Sequence, residues 1–183
     1  MRRTLVLIAV LLVGCSTPLR PPAFEGTTPV LDPIQWFAGR TVSFGVFEDG
    51  SGAPTSHFET DSDGKIEPDG SLTLAQTVRL HGDGADASVY QRTWHMHRVD
   101  AHRYEATAEP VEGVAVGEAY GRAFHWSYTI RLPPGGWLHT VAFEHWMYLS
   151  DDGNTLVNRF VVRKLGIIVA RATETFVHTH PGP

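Results

Sequence analysis

The chain has 183 residues, with 15 Lys and Arg against 20 Asp and Glu, a formal net charge of −5 and a single cysteine. That length suits one domain with a real core. No cluster of lysines or arginines leaves an electrostatic footprint for nucleic acid or for anionic lipid, and one cysteine can close no internal disulfide.

In chain order, Met1-Arg2-Arg3 is followed by an apolar run from Leu5 to Val13 and then Gly14-Cys15. The run is too short for a permanent membrane span, and Leu12-Val13-Gly14-Cys15 resembles the lipobox of bacterial lipoproteins. The expectation is a signal peptide over residues 1–14, cleavage before Cys15 and acyl chains on that cysteine. These chains would be the protein's membrane partner, since several together anchor stably where one binds only marginally. Ser16, in place of the aspartate of an inner-membrane retention signal, implies the outer membrane and a periplasm-facing domain. Residues 15–34 carry Pro18, Pro21, Pro22, Pro29 and Pro33 among small polar residues. Proline fixes φ and removes a backbone donor, so this segment reads as an extended tether.

From residue 35 to 178 the punctuation changes to Asp-Gly, at Asp49-Gly50, Asp63-Gly64, Asp69-Gly70, Asp83-Gly84 and Asp152-Gly153. Asp-Gly between alternating segments signals hairpins, because type I′ turns need positive φ. The segments alternate with period two: Leu72, Leu74, Val78 and Leu80 share one face, and Phe124, Trp126, Tyr128, Ile130 and Leu132 share another. Similar runs near 41–49, 54–61, 88–99, 103–108, 114–120, 137–149, 155–163 and 167–177 bring the total to about ten strands, with no convincing helix. Closing such a meander removes its edges, so the expectation is an all-β, single antiparallel up-and-down β-barrel, with a sandwich as the alternative. Residues 179–183 read as a disordered tail.

The segments Phe37-Ala38-Gly39-Arg40, Arg92-Thr93-Trp94, Gly117-Glu118-Ala119, Trp126-Ser127-Tyr128, Trp146-Met147-Tyr148, Asn158-Arg159 and Lys164-Leu165-Gly166, in this order, resemble the bacterial family DUF3833. The resemblance implies a lipid-anchored envelope protein with a calycin-like, or lipocalin-like, barrel. The chain departs from the family pattern at Glu144-His145, where two aspartates are usual, at Pro110-Val111-Glu112-Gly113, and at Arg122, where an asparagine is expected.

Candidate site residues are polar groups on otherwise apolar strand faces: Arg92 shares its face with Trp94, Glu144 with Trp146, and Arg159 with Val157 and Val161, while Asn158 is the neighbour of Arg159 in the chain. A buried charge is costly unless paired, so Arg92 and Arg159 would meet Glu144 or a ligand carboxylate. With Trp126 and Tyr128 these residues suit a lipid or fatty acid. The residues near 141–149 are apolar on both faces, so either could point inward. His95 and His97 share a face but make no closed metal site. No Gly-x-Ser-x-Gly elbow is present, so no catalytic residue, metal or cofactor is assigned. A lyase or isomerase using Glu144 with Tyr128 or His145 is the rival, and a structural envelope protein with a filled barrel is the third reading. Protein partners are not legible.

Overall fold

The computed structural model describes residues 19–82, 87–132 and 139–179. The proposed signal peptide, Cys15 and residues 180–183 lie outside these. Ten strands form one closed antiparallel barrel in simple meander order: β1 (Gly39–Asp49), β2 (Pro54–Ile66), β3 (Leu72–His81), β4 (Ser88–Arg98), β5 (Arg103–Thr107), β6 (Ala115–Tyr120), β7 (Ala123–Arg131), β8 (Thr140–Leu149), β9 (Thr155–Lys164) and β10 (Ile167–His178). Closure comes from β1 pairing with β10, from Thr41 opposite His178 to Asp49 opposite Ala170. The ladder therefore has no free outer strand, which is how a meander of this length avoids edge pairing with other chains. The expected lipocalin-like barrel is what the chain forms.

Every strand alternates between the lumen and the outside, and the size of the inward residues is balanced around the ring. On β6 the inward positions are Ala115, Gly117 and Ala119. A Cβ on Gly117 would lie 2.5 Å from both the Phe124 and Trp126 rings, so the missing side chain is the space those rings occupy. Gly45 on β1 plays the same part for Phe58, whose ring a Cβ would approach to 2.3 Å. Small residues on one strand thus admit large aromatics from its neighbour at native packing density.

One end of the barrel is plugged. A single helical turn, α1 (Pro33–Trp36), begins at Asp32, whose side chain accepts a hydrogen bond from the Ile34 amide at 3.1 Å. Proline in the first turn loses no bond there. Leu31, Ile34, Trp36 and Phe37 are buried with Leu72, Leu149, Leu156 and Phe176, and Trp36 Nε1 donates to the Gly153 carbonyl at 3.1 Å. The plug backbone lies directly on β2: a Cβ on Gly64 would fall 1.8 Å from the Phe37 carbonyl oxygen.

The reading of residues 15–34 as an extended tether needs correction from Pro21 onward. Pro21–Phe24 form a 3-10 turn, and Phe24 packs on the outward rings of Trp146 and Tyr148, with centroids 6.2 and 5.5 Å away. The Arg122 amide donates to Thr27 Oγ1 at 3.0 Å, and the Leu31 amide donates to the Gly121 carbonyl at 2.7 Å. Prolines alone favour extension, but apolar anchors at Phe24, Leu31 and Ile34 gain enough buried surface to dock the segment.

Candidate functional site

Inside the barrel lies a cavity of about 1110 Å³. It is at or above the top of the roughly 300–1,000 Å³ range usual for ligand pockets. Its walls are mainly aromatic and aliphatic. Toward the plug they include Leu74, Met96, Phe124, Trp126, Met147 and Phe176, and toward the opposite end Phe47, Phe58, Leu80, Ile130, Phe143 and Phe160. Between these two apolar zones the strands contribute a polar belt. Ser43, Thr60, Ser62, Gln76, His145, Asn158 and Glu174 are all buried, and Arg92 reaches the belt from β4.

The belt is hydrogen-bonded in two arcs. In the first, Arg92 Nε and Trp94 Nε1 both donate to Gln76 Oε1, at 2.9 and 3.0 Å, and Gln76 Nε2 donates to Ser62 Oγ at 3.1 Å. The Arg92 guanidinium also stands 5.2 Å from the Trp94 ring centroid, a cation-π distance. In the second arc, Asn158 Nδ2 donates to Glu174 Oε2 at 3.0 Å, and His145 Nδ1 lies 3.2 Å from the Asn158 amide oxygen and 3.1 Å from its nitrogen. His145 Nε2 is hydrogen-bonded to the Tyr128 hydroxyl at 3.1 Å. Glu174 Oε1 accepts from Ser43 Oγ at 2.5 Å and Thr60 Oγ1 at 3.5 Å.

Burial sets the charge of these groups. Desolvation pulls the His145 imidazole down to about 3, with the Arg92 charge acting in the same sense, and raises the Tyr128 phenol. Both are therefore neutral at ordinary pH. Glu174 is also raised by burial, while its hydrogen bonds and the Arg92 charge oppose the rise. Among the described residues, no carboxylate lies within ion-pair distance of Arg92. The cavity thus contains a cation beside a neutral amide, an indole ring and the Tyr128 hydroxyl.

The wall has a gap in its backbone pairing. β4 pairs with β3 from Ser88 to Met96, but with β5 only from His95 to Arg98. Next to the unpaired half, residues Glu109–Gly113 are bonded instead to β7, through Glu112 N to Thr129 O at 2.8 Å and Arg131 N to Pro110 O at 3.1 Å. Val89, Tyr90 and Gln91 from one side and Glu109 to Gly113 from the other all line the cavity. Among the described residues the backbone ladder is thus interrupted between β4 and this segment, and both banks of the interruption line the cavity.

Of the expected site residues, the structure brings Arg92, Trp94, Trp126, Tyr128 and Asn158 together around the cavity. Glu144, Trp146 and Arg159 are not there and must be corrected. The inward face of β8 is Val141, Phe143, His145, Met147 and Leu149, so Glu144 and Trp146 point outward. Glu144 meets Arg163 at 3.5 Å and His125 at 3.4 Å, while Trp146 packs with His125 and Phe24. Arg159 has the outward parity of β9 and is exposed, opposite Trp146. No network of Arg92, Glu144 and Arg159 forms. His95 and His97 are exposed on the outer face of β4, and among the described residues no group of three or more metal-ligating side chains converges.

Gln76, Glu174, Ser43 and Thr60 are not singled out by the sequence, where His145 enters as a possible partner of Glu144. Parity was the available signal. Gln76 interrupts the series Leu72, Leu74, Val78, Leu80, and Glu174 falls between Ala172 and Phe176 on the apolar face of its strand.

A closed ten-strand meander, plugged at one end by an N-terminal helical turn and enclosing an aromatic cavity, defines a lipocalin-like barrel of the kind that serves small-molecule binding. The chain belongs to the DUF3833 family, whose model, described as a protein of unknown function, matches residues 9–178. No curated protein matches the sequence. Among solved structures, the S-type phycobiliprotein lyase CPES from Guillardia theta is similar, with a TM-score of 0.60 at 8% identity, covering 81% of this chain and 92% of that one. A DUF3598 protein of unknown function from Nostoc punctiforme is similar with a TM-score of 0.57 at 14% identity, covering 82% of this chain and 50% of that one. At these identities the likeness establishes the fold.

Proposed function

We propose that the barrel binds an amphipathic acid, a lipid or fatty acid, with its carboxylate at Arg92 and its chain among the aromatics. We further propose that acyl chains on Cys15 hold the domain at the bacterial envelope, on the outer membrane facing the periplasm. One observation carries the ligand reading: Arg92 faces an apolar cavity of about 1110 Å³ with no carboxylate in ion-pair distance among the described residues. A guanidinium in such surroundings is poorly solvated, and an entering carboxylate offers it a charge-assisted, bidentate partner. The similarity to a phycobiliprotein lyase supports a barrel that handles a small molecule, without specifying which.

Acid-base catalysis is less well supported by the same geometry. The Tyr128, His145, Asn158 and Glu174 chain has the form of a proton relay, but His145 is pulled to about 3 and the phenol is raised. A proton passing from phenol to imidazole would climb a large mismatch, whereas effective general acids and bases are matched to the working pH. A purely structural barrel is disfavoured by the volume left empty.

The test is native mass spectrometry of the protein purified from a bacterial periplasm, followed by organic extraction. A bound acid that disappears in Arg92→Met supports the reading. A clean protein mass together with no binding of added dodecanoate overturns it. For the anchor, Cys15→Ser should move the protein from the membrane to the soluble fraction; full membrane retention of that variant refutes the lipoprotein assignment.

A further inference from the structure

Glu174 is a buried carboxyl group whose charged form is opposed by burial and favoured by its hydrogen bonds and by the Arg92 charge. Its partners Ser43, Thr60 and Asn158 are neutral, it is buried, and it lines the same cavity as Arg92. In the strand ring β10 and β4 are separated by β1, β2 and β3, so the two groups face each other across the lumen. We propose that Glu174 is the resident counter-charge of Arg92, and that it takes up a proton when an anionic ligand replaces it, so the site selects a carboxylic acid together with a proton. The inference rests on acid binding at Arg92.

The shell around Glu174 is built for both protonation states. The hydroxyls of Ser43 and Thr60 can donate to a carboxylate or, after rotation, accept from a carboxyl, with no heavy atom displaced. Asn158 Nδ2 donates to Oε2, which can accept in either protonation state. Among the described residues, the titratable or charged side chains facing Glu174 are Arg92 from β4, Tyr128 from β7 and His145 from β8. β1, β2, β3 and β9 present the neutral Ser43, Thr60, Gln76 and Asn158, and the plug presents Phe37. His145 and Tyr128 are held neutral by burial; Tyr90, Glu109, Glu112 and Arg131 also line the cavity, and the Glu174→Gln comparison separates their contribution from that of Glu174. The positive charge of Arg92 opposes the effect of burial on Glu174. A ligand carboxylate on Arg92 cancels that help and adds a like charge, and both changes favour the protonated form.

Calorimetric titration of the full protein with dodecanoate and with dodecanol, in buffer pairs of different ionisation enthalpy at about pH 6, 7 and 8, tests this linkage. The expected result is net proton uptake, up to about one per dodecanoate, none with dodecanol, and a dodecanoate affinity that falls by up to about tenfold per pH unit over the same interval. In Glu174→Gln the uptake should vanish and the pH profile should flatten. Dodecanoate binding without proton uptake at any of these pH values, or uptake undiminished in Glu174→Gln, overturns the inference while leaving acid binding intact. Failure to bind dodecanoate, or equal binding of dodecanol, overturns the Arg92 reading itself. If Glu174→Gln does not fold, the proton count of the unmodified protein decides.

Discussion

Arg92 and Gln76 are register partners on β4 and β3, and Nε of Arg92 donates to Oε1 of Gln76 at 2.9 Å. A neutral amide therefore aims the guanidinium into the lumen, and the same oxygen takes the Trp94 indole proton at 3.0 Å. Arg92→Met should weaken dodecanoate binding about tenfold to a hundredfold, or ~1.4–3 kcal/mol, and leave dodecanol binding nearly unchanged. Gln76 keeps its bonds to Trp94 and Ser62 in that variant, so the fold should hold. Parallel titrations of the two probes check this, and equal losses for both would show that Arg92 shapes the cavity without binding charge.

His145 links ligand chemistry to stability. Its imidazole is lowered from 6.5 to about 3 by burial, so the folded protein binds fewer protons there than the unfolded chain. The stabilisation is complete above the unfolded value and is lost as pH falls toward the folded one, amounting to about 2–3 kcal/mol between pH 7 and pH 4.5. Glu174, raised by burial, works in the opposite sense, losing stability as pH rises through its folded value. Comparing the unmodified protein with His145→Asn isolates the histidine: the stability gap between them, measured by urea unfolding, should shrink as the solution is acidified. A gap independent of pH would mean that His145 is not buried neutral.

These groups also mark what the sequence could reveal. Alternation placed Trp94, Trp126 and Tyr128 on inward faces because Arg, His, Ser and Thr occupied the opposite positions of those strands. On β8 the rule lost its power. Val141, Phe143, Met147 and Leu149 line one face and Trp146 and Tyr148 the other, because that strand is buried on the outside by Phe24. With both faces apolar, alternation does not separate Glu144 from His145. Gln76 and Glu174 escaped for another reason: a polar residue in an apolar series reads as an interruption until its partners are known, and those lie on other strands. Docking of residues 21–36 depends on long-range contacts with Gly121, Arg122 and Gly153, which local composition does not encode.

The plug makes a sharp prediction at Gly64. A Cβ there would sit 1.8 Å from the Phe37 carbonyl oxygen and 2.8 Å from its carbon, both backbone atoms that cannot swing aside. Gly64→Ala should cost about 2–4 kcal/mol, as expected for overpacking against rigid neighbours. Gly82, whose Cβ would meet nothing within 4 Å, is the control, and alanine there should change stability by less than about 0.5 kcal/mol. Thermal unfolding of the two variants measures the difference; similar melting temperatures would mean that Phe37 does not seal the barrel end against β2.

Trp146 separates the outer surface from the cavity. Its ring lies 6.2 Å from Phe24, 4.7 Å from His125 and 6.2 Å from Tyr148, between the barrel wall and the docked N-terminal segment. Phe24→Ala removes the cover from this cluster and should cost about 1–3 kcal/mol through lost burial and ring contacts. It should also expose an indole, read as a red shift in tryptophan emission. Because the cluster faces away from the lumen, Trp146→Ala should leave dodecanoate affinity unchanged. Trp126→Ala, which opens the cavity wall beside Trp94 at a ring distance of 5.7 Å, should reduce it. Equal losses of affinity in Trp146→Ala and Trp126→Ala would contradict the inward face assigned to β8.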